Sequence, residues 1–124
     1  MISIVSILSV DDVNVIWQGD ANAHIIQALR RAASPAFVVN VTGAETLSTR
    51  AVAQRFGELF DKPVSIIGTE KSTAWLSNPS MAHQLWGPPA VSENQLIEWV
   101  AAWLLNDGET LNKPTHFENR DGTY

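Results

Sequence analysis

Apolar residues recur along this chain with two spacings, and the switch between them lays out its elements. In residues 2–10 (ISIVSILSV), Ile2, Ile4 and, further on, Leu8 alternate with serines, and the β-branched content favours a strand. A second short strand is predicted over residues 13–17 (VNVIW), ended by Gln18-Gly19-Asp20. Asp20 then sits where a helix N-cap would, its carboxylate accepting orphan N–H groups of the next turn. The helix predicted behind it runs over about residues 21–33, with Ala21, Ile25, Ala28, Leu29 and Ala32 as its apolar stripe. Arg30 and Arg31 fall in its last turn, where positive charge suits the helix dipole.

Ser34-Pro35 breaks that helix. Residues 36–41 (AFVVNV) form a near-continuous apolar run, the signature of a strand buried on both faces. Thr42-Gly43 turns the chain. Ser48 is placed to cap a second helix whose stripe is Val52, Ala53, Phe56, Leu59 and Phe60, and Asp61-Lys62-Pro63 ends it. Residues 64–67 (VSII) read as a further buried strand. Strands alternating with helices predict parallel pairing through right-handed crossovers. Beyond them, Asn78-Pro79 opens a short helix with Met81, Ala82, Leu85 and Trp86, followed by Gly87-Pro88-Pro89. Ser92 caps the last helix, where Leu96, Trp99, Val100, Trp103 and Leu104 fall at helical spacing before Asn106-Asp107-Gly108. The predicted fold class is α/β: a small domain with a short, mostly parallel sheet flanked by helices. Residues 109–124 are polar and aperiodic, a surface tail.

The length of 124 residues is that of one domain. Acidic residues number 13 against 8 basic ones, which argues against a phosphate-backbone binder, so no nucleic-acid partner is expected. No stretch is apolar enough to span a membrane. Residues 1–10 lack both the basic start and the cleavage pattern of a signal peptide. The chain has no cysteine, which removes disulfides, thiol nucleophiles and cysteine-based metal sites. That leaves the compartment open; the cytoplasm is the simplest expectation.

The seven glycines are too scattered for a G-x-G-x-x-G turn or a P-loop, and the only tyrosine is Tyr124, so no Tyr-x-x-x-Lys pair exists. There is neither a G-x-S-x-G elbow nor an H-E-x-x-H helix. His24, His83 and His116 are far apart in sequence and suggest no metal site.

Four phrases carry a resemblance: residues 13–29 (VNVIWQGDANAHIIQAL), 38–60 (VVNVTGAETLSTRAVAQRFGELF), 73–87 (TAWLSNPSMAHQLWG) and 113–122 (KPTHFENRDG). Their order resembles the C-terminal, substrate-side part of an NAD-dependent epimerase/dehydratase, an extended short-chain dehydrogenase. The resemblance covers about nine-tenths of the chain, residues 13–124 as one substrate-side-like domain, and leaves residues 1–12 as an N-terminal strand or extension unlike the family. It implies an Asp heading a helix after a strand that ends near the substrate, as at Asp20. It also implies a strand end leading into a Ser/Thr–Arg helix, as at Asn40, Thr42, Gly43, Ser48 and Arg50. The glycine-rich loop, the acidic ribose partner and the Tyr/Lys pair of the family's nucleotide-binding half have no counterpart here. Kinship of fold alone is no warrant for activity.

Ligands of parallel sheets favour the carboxyl ends of strands. That rule makes Trp17, Gln18, Asp20, Asn22, Asn40, Thr42 and Trp75 the candidate ligand-binding residues. For Asp20 a helix cap is the better reading. Trp17, Gln18 and Asn22 are as well placed to meet a ligand as to pack. Asn40 and Thr42 fit strand-end residues that satisfy local backbone, and Trp75 fits a loop pinned on a core. Trp99 and Trp103 belong to a core or an interface. His116, Glu118, Arg120 and Asp121 form a dense polar cluster better explained by internal salt bridges than by acid–base chemistry.

The expectation is a stand-alone chain without catalytic residues of its own and without cofactor or metal. It would bind a small, sugar-like molecule or a protein. The alternatives are an enzyme component completing an active site with a separate NAD(P)-binding subunit, and a folded gene fragment with no selected role. A homodimer is expected, because a surface that the family covers with its nucleotide-binding half would be exposed here. Residues 2–10 would pair across a two-fold axis, or tryptophans would meet there; the competing outcome is that residues 2–10 fold back onto their own chain.

Overall fold

The computed structural model describes residues 4–7, 12–70 and 74–114. The cluster His116 to Asp121 lies outside the described residues, as do residues 2–3 and 8–10 of the initial apolar run. Strand β1 (Ile4–Ile7) pairs in parallel with β4 (Val64–Ile67), Ile4 opposite Val64 and Ile7 opposite Ile67. Strand β2 (Asp12–Val13) pairs antiparallel with β3 (Leu47–Ser48), and Val13 makes a further parallel bridge to Trp75. The helices are α1 (Gln18–Ala28), continued by a 3-10 turn at Leu29–Arg31, then α2 (Thr49–Phe60), α3 (Ser80–Trp86) and α4 (Glu93–Leu105). The fold is α/β, and most of its pairing is parallel. The described part of the initial run folds back onto its own chain, as the neighbour of β4.

Helix ends follow local chemistry. Ser48 Oγ accepts the Ala51 N–H and Ser92 Oγ accepts the Gln95 N–H, capping α2 and α4. Asp61, in the left-handed region at φ 51°, closes α2. Gly57 is buried where α2 crosses β4, and a Cβ there would collide with Val64 Cγ2. A glycine is what lets helix and strand approach so closely.

Five sequence expectations are corrected. The strand expected over residues 13–17 is paired only at Asp12–Val13. The run 36–41 forms no strand with any of the described residues, and Val38 is 79% exposed. A doubly buried strand needs neighbours, and here β1 takes the place beside β4. Strand β4 is not buried on both faces: Val64 and Ile66 are half-buried while Ser65 and Ile67 are exposed. Helix α1 starts earlier than expected, with Trp17 at its N-cap position and Asp20 already in its first turn. Its buried face is also rotated. His24 is buried, flanked by half-buried Asp20, Ala21 and Ala28, while Ile25 and Leu29 of the expected stripe are exposed.

The centre is built from small side chains. Ala53 of α2, Ala82 of α3 and Ala101 of α4 are the buried apolar residues among those described, and no large side chain there is fully buried. Helix α2 packs along α4, with Arg55 bridging Glu58 on its own helix and Glu98 on α4 at 3.0 and 3.4 Å. Arg50 pairs with Glu70 at 2.9 Å, tying the start of α2 to the chain after β4.

Candidate functional site

The seven candidate residues do not converge on one point; the structure distributes them over four neighbourhoods. Trp17 packs edge-on against Trp99 of α4, ring centroids 5.6 Å apart. Gln18 and Asn22 are exposed on α1. Asp20 Oδ2 accepts the Val91 N–H at 2.9 Å, so this carboxylate anchors the loop before α4 rather than capping its own helix. Trp75 is engaged through its backbone, donating N–H to the Asp12 carbonyl at 2.8 Å and accepting from Asn14 N–H at 3.3 Å. Its indole is partly exposed.

Thr42 is buried, and its carbonyl lies 3.1 Å from His83 Nε2. His83 in turn stands beside His24, with ring centroids 6.3 Å apart, and Trp86 covers His24 at 5.6 Å. His24 is 4% exposed, and its Nδ1 has no hydrogen-bond partner among the described residues. Two histidines 59 positions apart thus meet between α1 and α3, a juxtaposition that spacing gave no sign of. Among the described residues no group of three or more His, Asp or Glu could hold a metal ion.

Asn40 lines a cleft. Its amide donates to the Asn78 carbonyl at 3.3 Å, fastening the segment 38–40 to the chain entering α3. Between them lies a cavity of about 390 Å³ whose polar walls are Asn40, Asn78, Ser80 and Gln84 and whose apolar walls are Val38, Val39 and Met81. Asn78 Oδ1 accepts from both the N–H and the Oγ–H of Ser80 at 3.0 and 2.6 Å, which fixes two of these groups in place. Asn40 Oδ1, Asn78 Nδ2 and the Gln84 amide have no partner among the described residues. Every wall is uncharged. This cleft offers amide donors and acceptors beside apolar surface, the chemistry that meets hydroxyl groups and the C–H face of a neutral molecule.

Two other hollows differ in character. One, of about 530 Å³, is a broad surface depression at the end of α2, where Glu58, Asp61 and Lys62 mix charges. The other, of about 440 Å³, is lined by Gln27, Arg30, Arg31, Leu85 and Trp86. Neither contains a candidate residue, and the first is the more open, so its size reflects solvent rather than enclosure.

Sequence reasoning missed Asn14. Its Nδ2 donates to the Gly43 carbonyl at 3.3 Å and the Ser77 carbonyl at 2.7 Å, and its Oδ1 accepts the Ser77 N–H at 3.1 Å. One side chain thereby holds β2, the turn after Thr42 and the chain leading to α3 together. Asn14 falls inside the strand expected over residues 13–17, so no local signal marked it.

No family model matches the chain. No curated protein matches it either. The case for function therefore stands on residues and geometry.

Proposed function

We propose that this chain is a binding protein for a small, neutral, polyhydroxylated molecule of the sugar class, held in the cleft between residues 38–40 and the start of α3. The observation that carries the reading is the composition of that cleft: three amides and a hydroxyl around valine and methionine, with no charged wall. Hydroxyl-rich ligands exchange water for such amide groups at little net electrostatic cost, whereas a phosphate or carboxylate would enter without a counter-charge. The resemblance of residues 73–87 to the substrate side of an epimerase/dehydratase supports the same ligand class. No residue of the cleft is a nucleophile activated by a base, so the reading is binding without turnover.

An open cleft of this size holds a monosaccharide weakly, with a Kd of about 0.1–10 mM. The test is a titration of the isotopically labelled chain with glucose, galactose and N-acetylglucosamine, followed by NMR. Saturable shifts confined to residues 38–40 and 78–84 are expected for at least one sugar. Gln84→Ala should weaken that binding about 3- to 10-fold, the loss of one hydrogen bond. Shifts centred on Arg30 and Arg31, or binding of NAD(P) in place of sugars, would contradict the proposal.

A further inference from the structure

We propose that the chain self-associates about a two-fold axis through the outer face of α4. Leu96, Trp99, Val100 and Trp103 recur at the i, i+3, i+4, i+7 spacing of a helix seam. In a folded monomer such a stripe faces the core. Here Ala101, on the opposite side of α4, is the buried residue, and Trp99, Val100 and Trp103 are 43, 40 and 58% exposed. The helix therefore meets α2 with its narrow alanine side and turns the Trp99–Trp103 part of its apolar seam outward, while Leu96 is half-buried and the Trp103 indole N–H donates to the Glu109 carbonyl at 3.0 Å. Leu104, 42% exposed, extends that seam, and Trp17 widens it through its edge contact with Trp99.

A second copy fits on two counts. The first is charge. Helix α4 carries its acids, Glu93 and Glu98, in its first half, and Glu98 is engaged by Arg55. From Val100 to Leu105 it has no charge at all. An antiparallel crossing centred on residues 100–105 lays the charge-free halves of two such helices together and keeps the acids of a −5 chain apart. The second is area. At about 150–250 Å² for an aromatic side chain, the exposed parts of Trp17, Trp99, Val100, Trp103 and Leu104 make about 450 Å² per protomer, so a pair removes about 900 Å² before the rim is counted, near the roughly 1,000 Å² that a specific interface needs. The surface is separate from the cleft, so either proposal can fail alone.

Sedimentation equilibrium of the full chain between about 1 μM and 1 mM should show the mass rising towards twice that of one chain. Over the same series the indole N–H resonances of Trp99 and Trp103 should shift while that of Trp86 stays fixed. Leu104→Glu should leave a monomer at every concentration. Leu111→Glu, at an exposed position beyond α4, should not change the association. A constant monomer mass would overturn the proposal, as would a dimer in which the Trp99 and Trp103 resonances do not move. If Leu104→Glu fails to fold, the resonance series on the unaltered chain decides.

Discussion

Asn14 joins three segments with one side chain, and its replacement should be felt well beyond its own strand. Asn14→Ala leaves the Gly43 carbonyl and both backbone groups of Ser77 without their partner. A loss of about 1–3 kcal/mol in urea unfolding is expected. Asn22→Ala, which removes an exposed amide with no partner among the described residues, should stay within about 0.5 kcal/mol of the unaltered chain. A similar cost for both would mean that Asn14 does not join those segments. The contrast also marks how far single residues could be read in advance. Asn22 and Asn14 are not told apart by sequence, the one lying behind and the other inside the strand expected over residues 13–17. What separates them is a bond spanning 63 positions, which no local pattern encodes. His24 is the same case: its burial depends on how α1 is rolled against α3, and apolar spacing pointed to Ile25 instead.

Elements were legible where their signals are local. Ser48 and Ser92 cap their helices as their positions suggested, because a hydroxyl three residues before an orphan N–H acts within one turn. Residues 64–67 were recognisable as a strand for the same reason, a short β-branched run behind Pro63. Residues 36–41 have the same look and no ladder. Strand pairing is a property of two segments, and β4 found its partner in Ile4–Ile7, about sixty positions away. The α2–β4 crossing gives a direct test at this scale. Gly57→Ala puts a methyl group against Val64 Cγ2 and 3.0 Å from the Lys62 carbonyl. The helical preference of alanine favours the change by about 1 kcal/mol, and overpacking opposes it by about 1–3 kcal/mol. A net loss of stability is therefore expected in a thermal melt. A rise in Tm would show that helix and strand can move apart freely.

At the scale of the whole molecule, the candidate site shows where legibility ends. Asn40 was singled out from its place at the end of an apolar run. Asn78, Ser80 and Gln84 were visible only as the start of a short helix, because the cleft exists once segment 38–40 lies against α3. The alanine centre described above has a thermodynamic consequence of its own. The heat-capacity change of unfolding follows the apolar surface newly given to water, and an ordinary chain of this length shows about 1.5–1.9 kcal/mol/K. Here Ala53, Ala82 and Ala101 conceal little such surface, and much of the leucine, isoleucine and tryptophan is already hydrated in the folded state. Calorimetry on dilute protein should give a value below that range. A full-sized change under those conditions would mean that the folded chain hides more apolar surface than these helices do. A small one lowers the curvature of the stability curve, so stability falls off more slowly on either side of its maximum, on cooling as on warming.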